Sequence, residues 1–192
     1  DSERERNYFS HTSRPELGKL LARAFRDGLN ASGVDGNNFR QGGFFSSMGK
    51  RRVPGLNSYA TPRELMRFLL HLEQGKVVDD FSSREIKRLL YMTQRRIRYV
   101  SSPALYDAAV YFKAGSYYRC KSEAVSWCGK YRGNVLNLLN SVAIVESPAG
   151  KTGGLFYMVV MTSNVLKKNA ALLHQNIGTR LHRLIERRHA VR

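Results

Sequence analysis

Apolar positions recur at helical spacing three times in the first half of the chain. Leu17, Leu20, Leu21, Ala24 and Phe25 make one face; Leu65, Phe68, Leu69 and Leu72 make a second; Ile86, Leu89 and Leu90 make a third. Each run follows a hydroxyl residue with Glu three positions on: Ser13 and Glu16, Thr61 and Glu64, Ser82 and Glu85. That pairing is the capping box, in which each partner satisfies an orphan backbone N–H, so helices are predicted to start after Ser13, Thr61 and Ser82. Pro62 suits the first position of the second helix, and Gly28 and Gly75 are the expected stops. Between the first two helices, Asn30 to Ser58 carries six glycines, Pro54 and the basic run Lys50-Arg51-Arg52. It predicts a long irregular loop of the functional or mobile kind.

The period then changes. Ala108 to Tyr118, Ser141 to Glu146 and Phe156 to Thr162 are rich in Val, Ile, Tyr and Phe and read as strands. The turn-rich stretch from Ser147 to Gly154 makes the last two an antiparallel hairpin. A final helix is predicted from about Asn169 to Arg188, burying Leu173, Ile177, Leu181, Leu184 and Ile185. Helices, three strands and a closing helix argue an α+β fold, an antiparallel sheet of at least three strands flanked by helices. Residues 1–58 form a helix plus irregular loop region, and 59–192 the sheet-bearing part of one domain.

Charge narrows the partners. Thirty-two Lys and Arg against fifteen Asp and Glu give +17. Such a surface attracts polyanions: nucleic acid, acidic headgroups or anionic cell-wall polymers. The basic residues are spread along most of the chain without a zinc-finger, RNP or basic-zipper pattern, which does not favour nucleic acid. No apolar stretch approaches the ~18 to 20 residues of a membrane helix. Cys120 and Cys128 match no zinc spacing, and His174, His182 and His189, spaced by eight and seven, build no metal site; these histidines read as solvated or flanking. No metal or cofactor is expected. The two cysteines are either reduced thiols or a short disulfide loop; the intervening segment, read as an exposed excursion, favours the disulfide. Tyr106, Tyr111, Tyr117 and Tyr118 are expected to pack the sheet, with one or two lining a groove.

Tyr59-Ala60-Thr61-Pro62-Arg63-Glu64-Leu65 introduces an apolar helix ending in Gly75, and about fifty residues later comes Tyr111-Phe112-Lys113-Ala114-Gly115-Ser116. Two strands and a helix follow. This order and spacing, over roughly residues 55 to 190, resembles the serine β-lactamases and penicillin-binding proteins. There a capped helix follows the omega loop and a strand carries Lys, then Thr or Ser, then Gly. The resemblance implies an acyl-serine hydrolase acting on β-lactams or cell-wall peptide amides, in the periplasm or secreted. It implies that Lys113 supplies positive charge, that Gly115 admits the substrate to the backbone, and that the Ser116 N–H is an oxyanion donor. Ala114 and Tyr117 would face the substrate. Ala114 lacks the hydroxyl that binds a substrate carboxylate in that family, and Ser116, two residues along the same strand face, is a substitute.

The nucleophile is less legible. Ser47-Met48-Gly49-Lys50 has the letters of the family's Ser-x-x-Lys, but Gly49, Pro54 and Gly55 argue against a helix there. Ser10-His11-Thr12 is the candidate for the Ser-Asp-Asn element, without its Asp and Asn. No acidic residue lies between Phe45 and Ser58 to stand for the omega-loop Glu. Lys151-Thr152-Gly153 falls in the hairpin turn, where it cannot present a strand-borne donor, and it is not a P-loop. The family also carries two N-terminal strands and a nucleophile-bearing helix that would not fit before Thr61. The resemblance therefore implies a fragment or incomplete chain, or else a trimmed fold, with the nucleophile either upstream of Asp1 or absent. A second reading is a catalytically impaired binding module of the same fold, using its basic surface on an anionic polymer, cell wall or nucleic acid.

Overall fold

The computed structural model describes residues 2–44, 46–55, 57–93, 96–121 and 127–190. The chain divides into two compact units, Asp1–His71 and Leu72–Arg192.

In the first unit a charged helix α1 (Ser2–His11) precedes α2 (Arg14–Ala31). Ser13 caps α2 as expected, its Oγ accepting the Glu16 N–H at 3.4 Å. Gly28 is not the stop: the helix passes through it and ends at Ser32 and Gly33, where Gly33 takes φ +75°. Gly28 sits in ordinary helical backbone, so its small size costs propensity without breaking the helix. The loop from Asn30 to Ser58 is more ordered than predicted. Phe39–Arg40 (β1) pairs antiparallel with Tyr59–Ala60 (β2), and Ser47–Arg52 forms a short helix α3. Ser46 makes α3 feasible despite Gly49, because its Oγ accepts the Gly49 N–H at 3.1 Å. Thr61 caps α4 (Pro62–Glu73) through the Glu64 N–H at 3.3 Å. The Glu64 carboxylate is buried and accepts from the Asp35 N–H and from Arg67, both at 3.0 Å.

In the second unit Gly75, with φ +70°, ends α4 as expected. The next helix, α5 (Asp80–Tyr91), begins a turn earlier than predicted. Asp79, not Ser82, is its cap: the Asp79 carboxylate accepts the Ser82 N–H at 2.6 Å. Ser83 is thereby buried, bonding both backbone groups of Val77. An Asp one turn upstream of a Ser-Ser pair offers a stronger acceptor to the helix N-terminus, and the helix extends to meet it.

Strands β3 (Ala109–Arg119), β4 (Leu136–Ser147) and β5 (Leu155–Asn164) form one antiparallel sheet in the order β3-β4-β5, with Gly115 opposite Asn140 and Val142 opposite Val160. The α+β reading and the β4–β5 hairpin hold. Val110, Phe112, Ala143, Val145 and Val159 join Tyr99, Val100 and Leu105 in the core, the last three from 3-10 turns at Arg98–Ser101 and Pro103–Leu105. The tyrosines depart from expectation. Tyr106, Tyr117 and Tyr118 are exposed, and only Tyr111 packs, against Tyr91 and under the Lys87 ammonium. Lys87 is further paired with Glu73 at 2.9 Å and Glu146 at 3.1 Å, joining α5 to the sheet.

The closing helix α6 (Ala170–Ala190) buries Ala170, His174, Gly178 and His182 most deeply, while the predicted Leu173, Ile177, Leu181 and Ile185 flank them half-buried, Leu181 against the core. Gly178 explains this. A Cβ there would lie 2.7 Å from the Tyr99 carbonyl oxygen, so the helix backbone approaches the Tyr99 turn directly. Residues one turn either side of the contact are drawn in, while Leu184 is left exposed. His174 and His182 are thus core residues, not solvated ones, and each is hydrogen-bonded. His182 Nδ1 lies 3.0 Å from Tyr157 Oη, which in turn meets Tyr99 Oη at 3.2 Å.

His174 bridges Ser141 (3.0 Å at Nδ1) and Ser163 (2.8 Å at Nε2). Burial, with the positive charge of Arg98 adding to it, pushes its pKa down to about 4. The ring is neutral in the fold at pH 7, whereas in the unfolded chain it titrates near the ordinary histidine value of 6.5. The unfolded state therefore binds the extra proton between pH 6.5 and 4, and stability is lost as pH falls through that window. Urea unfolding should show a loss of about 2 kcal/mol between pH 7 and pH 5 from this group, and His174→Gln should remove that part of the slope.

Candidate active site

Among the described residues β3 has a single strand neighbour, β4, so its other edge carries backbone groups unpaired within the sheet. Five of the predicted residues stand together along it. Lys113 is exposed, its Nζ donating to the Ala114 carbonyl at 3.1 Å. Ala114 packs against the core, on the face opposite Lys113. Gly115 is open, since a Cβ built on it would meet nothing within 4 Å. Ser116 follows, and Tyr117 projects into solvent beyond it.

Ser116 leads to a residue that sequence reasoning missed. Arg98 Nη2 donates to Ser116 Oγ at 3.3 Å and to Tyr131 Oη at 3.0 Å. Arg98 is only 7% exposed, its Nε and Nη1 have no partner, and no carboxylate pairs with it among the described residues. It also holds φ +63°, a left-handed conformation that costs an arginine roughly 1 kcal/mol or more. A buried, unneutralised guanidinium on strained backbone is expensive for a fold to keep. Its effect on its neighbour is visible. Burial pushes the Tyr131 phenol up, but the hydrogen bond from Arg98 and the charges of Arg98 and Lys130 together outweigh it and hold the pKa below the ordinary tyrosine value. Tyr131 itself has φ +69°, and its carbonyl accepts the Ala170 N–H at 2.9 Å, tying it to the start of α6.

In the sequence, Arg98 hides in a run with Arg95 and Arg96 that reads as solvated charge. The available signal was its apolar flank, Ile97 on one side and Tyr99-Val100 on the other. Arg96 shows the contrast: its guanidinium is used up on the Leu105 and Ala108 carbonyls, at 2.9 and 2.8 Å, and is structural.

Ser10, Ser47 and Lys50 belong to the other unit. Ser47 and Lys50 are both exposed on α3. Ser10 Oγ donates to the Asn7 carbonyl at 3.0 Å and lies 3.1 Å from His11 Nδ1, which itself contacts that carbonyl at 2.8 Å. This is the closing turn of a helix, with the ring nitrogen occupied. It is not the arrangement of a nucleophile and its base. Lys151-Thr152-Gly153 lies in the β4–β5 turn, as predicted. Cys120 and Cys128 form a disulfide just beyond the end of β3. The excursion predicted between them falls mostly on 122–126, outside the described residues. Among the described residues no cluster of His, Cys, Asp or Glu is arranged for a metal, and no helix is long and apolar enough to cross a membrane.

An α+β domain whose sheet ends in an exposed Lys-x-Gly edge strand, closed by a C-terminal helix, resembles the transpeptidase-like class of serine hydrolases. Residues 22–185 match the model of the Beta-lactamase enzyme family, and the chain belongs to that family. No curated protein and no solved structure matches it.

Proposed function

We propose that the protein is a serine hydrolase of the β-lactamase and penicillin-binding-protein type. Its substrate is a β-lactam or a cell-wall peptide amide that carries a free carboxylate, and reaction passes through an acyl-serine. The substrate lies along the open edge of β3, over Gly115. The Ser116 N–H serves as oxyanion donor, and Lys113 supplies positive charge. Arg98 is the observation that supports this reading. Ser116 Oγ and Tyr131 Oη both accept from its Nη2. Their own hydrogens are then left to donate to a substrate carboxylate, in front of a buried cation that has no counter-ion among the described residues. The pair takes over the recognition role of the hydroxyl missing at Ala114. The disulfide supports an oxidising location, periplasmic or secreted.

The second reading, a binding module of the same fold, is favoured by the surroundings of Ser10 and of Ser47 with Lys50, neither of which is set up for proton transfer. A fluorescent penicillin separates the two. Under the first reading the full-length protein gains one covalent label, visible by intact mass and competed by unlabelled drug. No adduct, with retained carboxylate-dependent binding, would replace the hydrolase by the module.

A further inference from the structure

The unit Asp1–His71 contains a cleft of about 630 Å³ whose charge is of one sign. Lys19, Arg23 and Arg26 line it from α2. Their spacing places them on one helix face, about 6 and 4.5 Å apart along the axis. Arg40 faces the cleft from β1, its guanidinium 4.6 Å from the centre of the Tyr59 ring and fixed by two hydrogen bonds to the Asn57 carbonyl, at 3.2 and 3.0 Å. Among the described residues no carboxylate lines the cleft. Among the described residues Lys19, Arg23 and Arg40 form no ion pair, and Arg26 has only the exposed Asp27 at 3.3 Å. Four cations gathered around one depression repel each other unless an anion joins them.

We propose that this cleft binds a linear, phosphate-bearing polyol chain running along α2, with Arg40 gripping it from the far wall. The row of charges fits a repeating anion better than a single one, and a guanidinium with a fixed plane recognises phosphate oxygens in pairs. Nucleic acid fits less well. Among the described residues the cleft has one aromatic ring, already covered by Arg40, so they offer no free platform on which a base could stack.

The test uses the full chain and an end-labelled poly(glycerol phosphate) oligomer, followed by fluorescence anisotropy across a salt series. Neutralising three or four phosphates gives a slope of log K against log salt of about −2 to −3. Lys19→Gln with Arg23→Gln, both on the exposed face of α2, should weaken binding at least ten-fold and flatten the slope by about 1.4. Arg40→Gln should weaken it separately, with an unchanged circular dichroism spectrum. Arg187→Gln with Arg188→Gln, at the end of α6, should leave it unchanged. The proposal is overturned by absence of binding at low salt, or by equal losses in the α6 variant, which would mean diffuse attraction. It is also overturned by tighter binding of a single-stranded oligonucleotide of equal phosphate number, or by equal competition from inorganic phosphate per phosphate group.

Discussion

Arg98→Met should slow acylation by a penicillin about 10- to 100-fold, the range expected when a charge-assisted contact to a carboxylate is lost. It should do so without destabilising the fold. Among the described residues the wild-type arginine is buried, lacks a counter-ion and leaves Nε and Nη1 unsatisfied. Replacing such a group by an apolar side chain of similar length is commonly neutral or stabilising. Arg98→Gly should be more stable still, since glycine accepts φ +63° without strain, and equally slow. Stopped-flow acylation rates and urea midpoints measured on the same preparations check both halves. Loss of rate together with loss of stability would make Arg98 a structural residue. Tyr131→Phe and Ser116→Ala should each take part of the effect, because each removes one of the two hydroxyls that Arg98 polarises.

Gly178→Ala should cost about 2 to 3 kcal/mol, the scale of an overpacked contact that can be relieved only by moving backbone. The sign is the informative part. In an exposed helix interior the same change gains up to about 1 kcal/mol. At position 178, however, the new methyl would stand 2.7 Å from the Tyr99 carbonyl and 3.3 Å from the Tyr99 ring, and backbone must give way. Gly28→Ala supplies the comparison, since a Cβ there meets nothing within 4 Å of it in α2. Thermal or urea unfolding should therefore show Gly28→Ala stabilising and Gly178→Ala destabilising. Because Tyr99 follows Arg98 in the same 3-10 turn, Gly178→Ala should also lower the acylation rate.

These two positions show which features the sequence made legible. Strand periodicity and the caps at Ser13 and Thr61 are local signals, read from neighbours three residues apart, and they survived. The cap of α5 was misplaced because Asp79 and Ser82 offer the same local signal, and burial of Ser83 decides between them. The centre of the buried face of α6 departs from the leucine stripe, which flanks it half-buried, for a reason that is wholly tertiary. Leucine spacing favours one face, but a glycine that admits close approach, with two histidines able to find Ser141, Ser163 and Tyr157, selects another. Arg98 escaped for the converse reason. Burial of an arginine is unfavourable in isolation, so no local pattern predicts it, and it is apparent only once the 3-10 turn is packed beneath Ser116. The placing of Lys113, Gly115 and Ser116 on one strand was legible because strand alternation and order along the chain are sequence properties. The geometry around Ser10 and Ser47 was not, because it depends on helix ends.

The most direct test of the carboxylate site is the wild-type protein's preference between a penicillin and its methyl ester, which differ only in the charge that Arg98 would attract. The free acid should react or bind at least ten-fold better, and the preference should vanish in Arg98→Met. Equal behaviour of acid and ester in the wild-type protein would contradict the account.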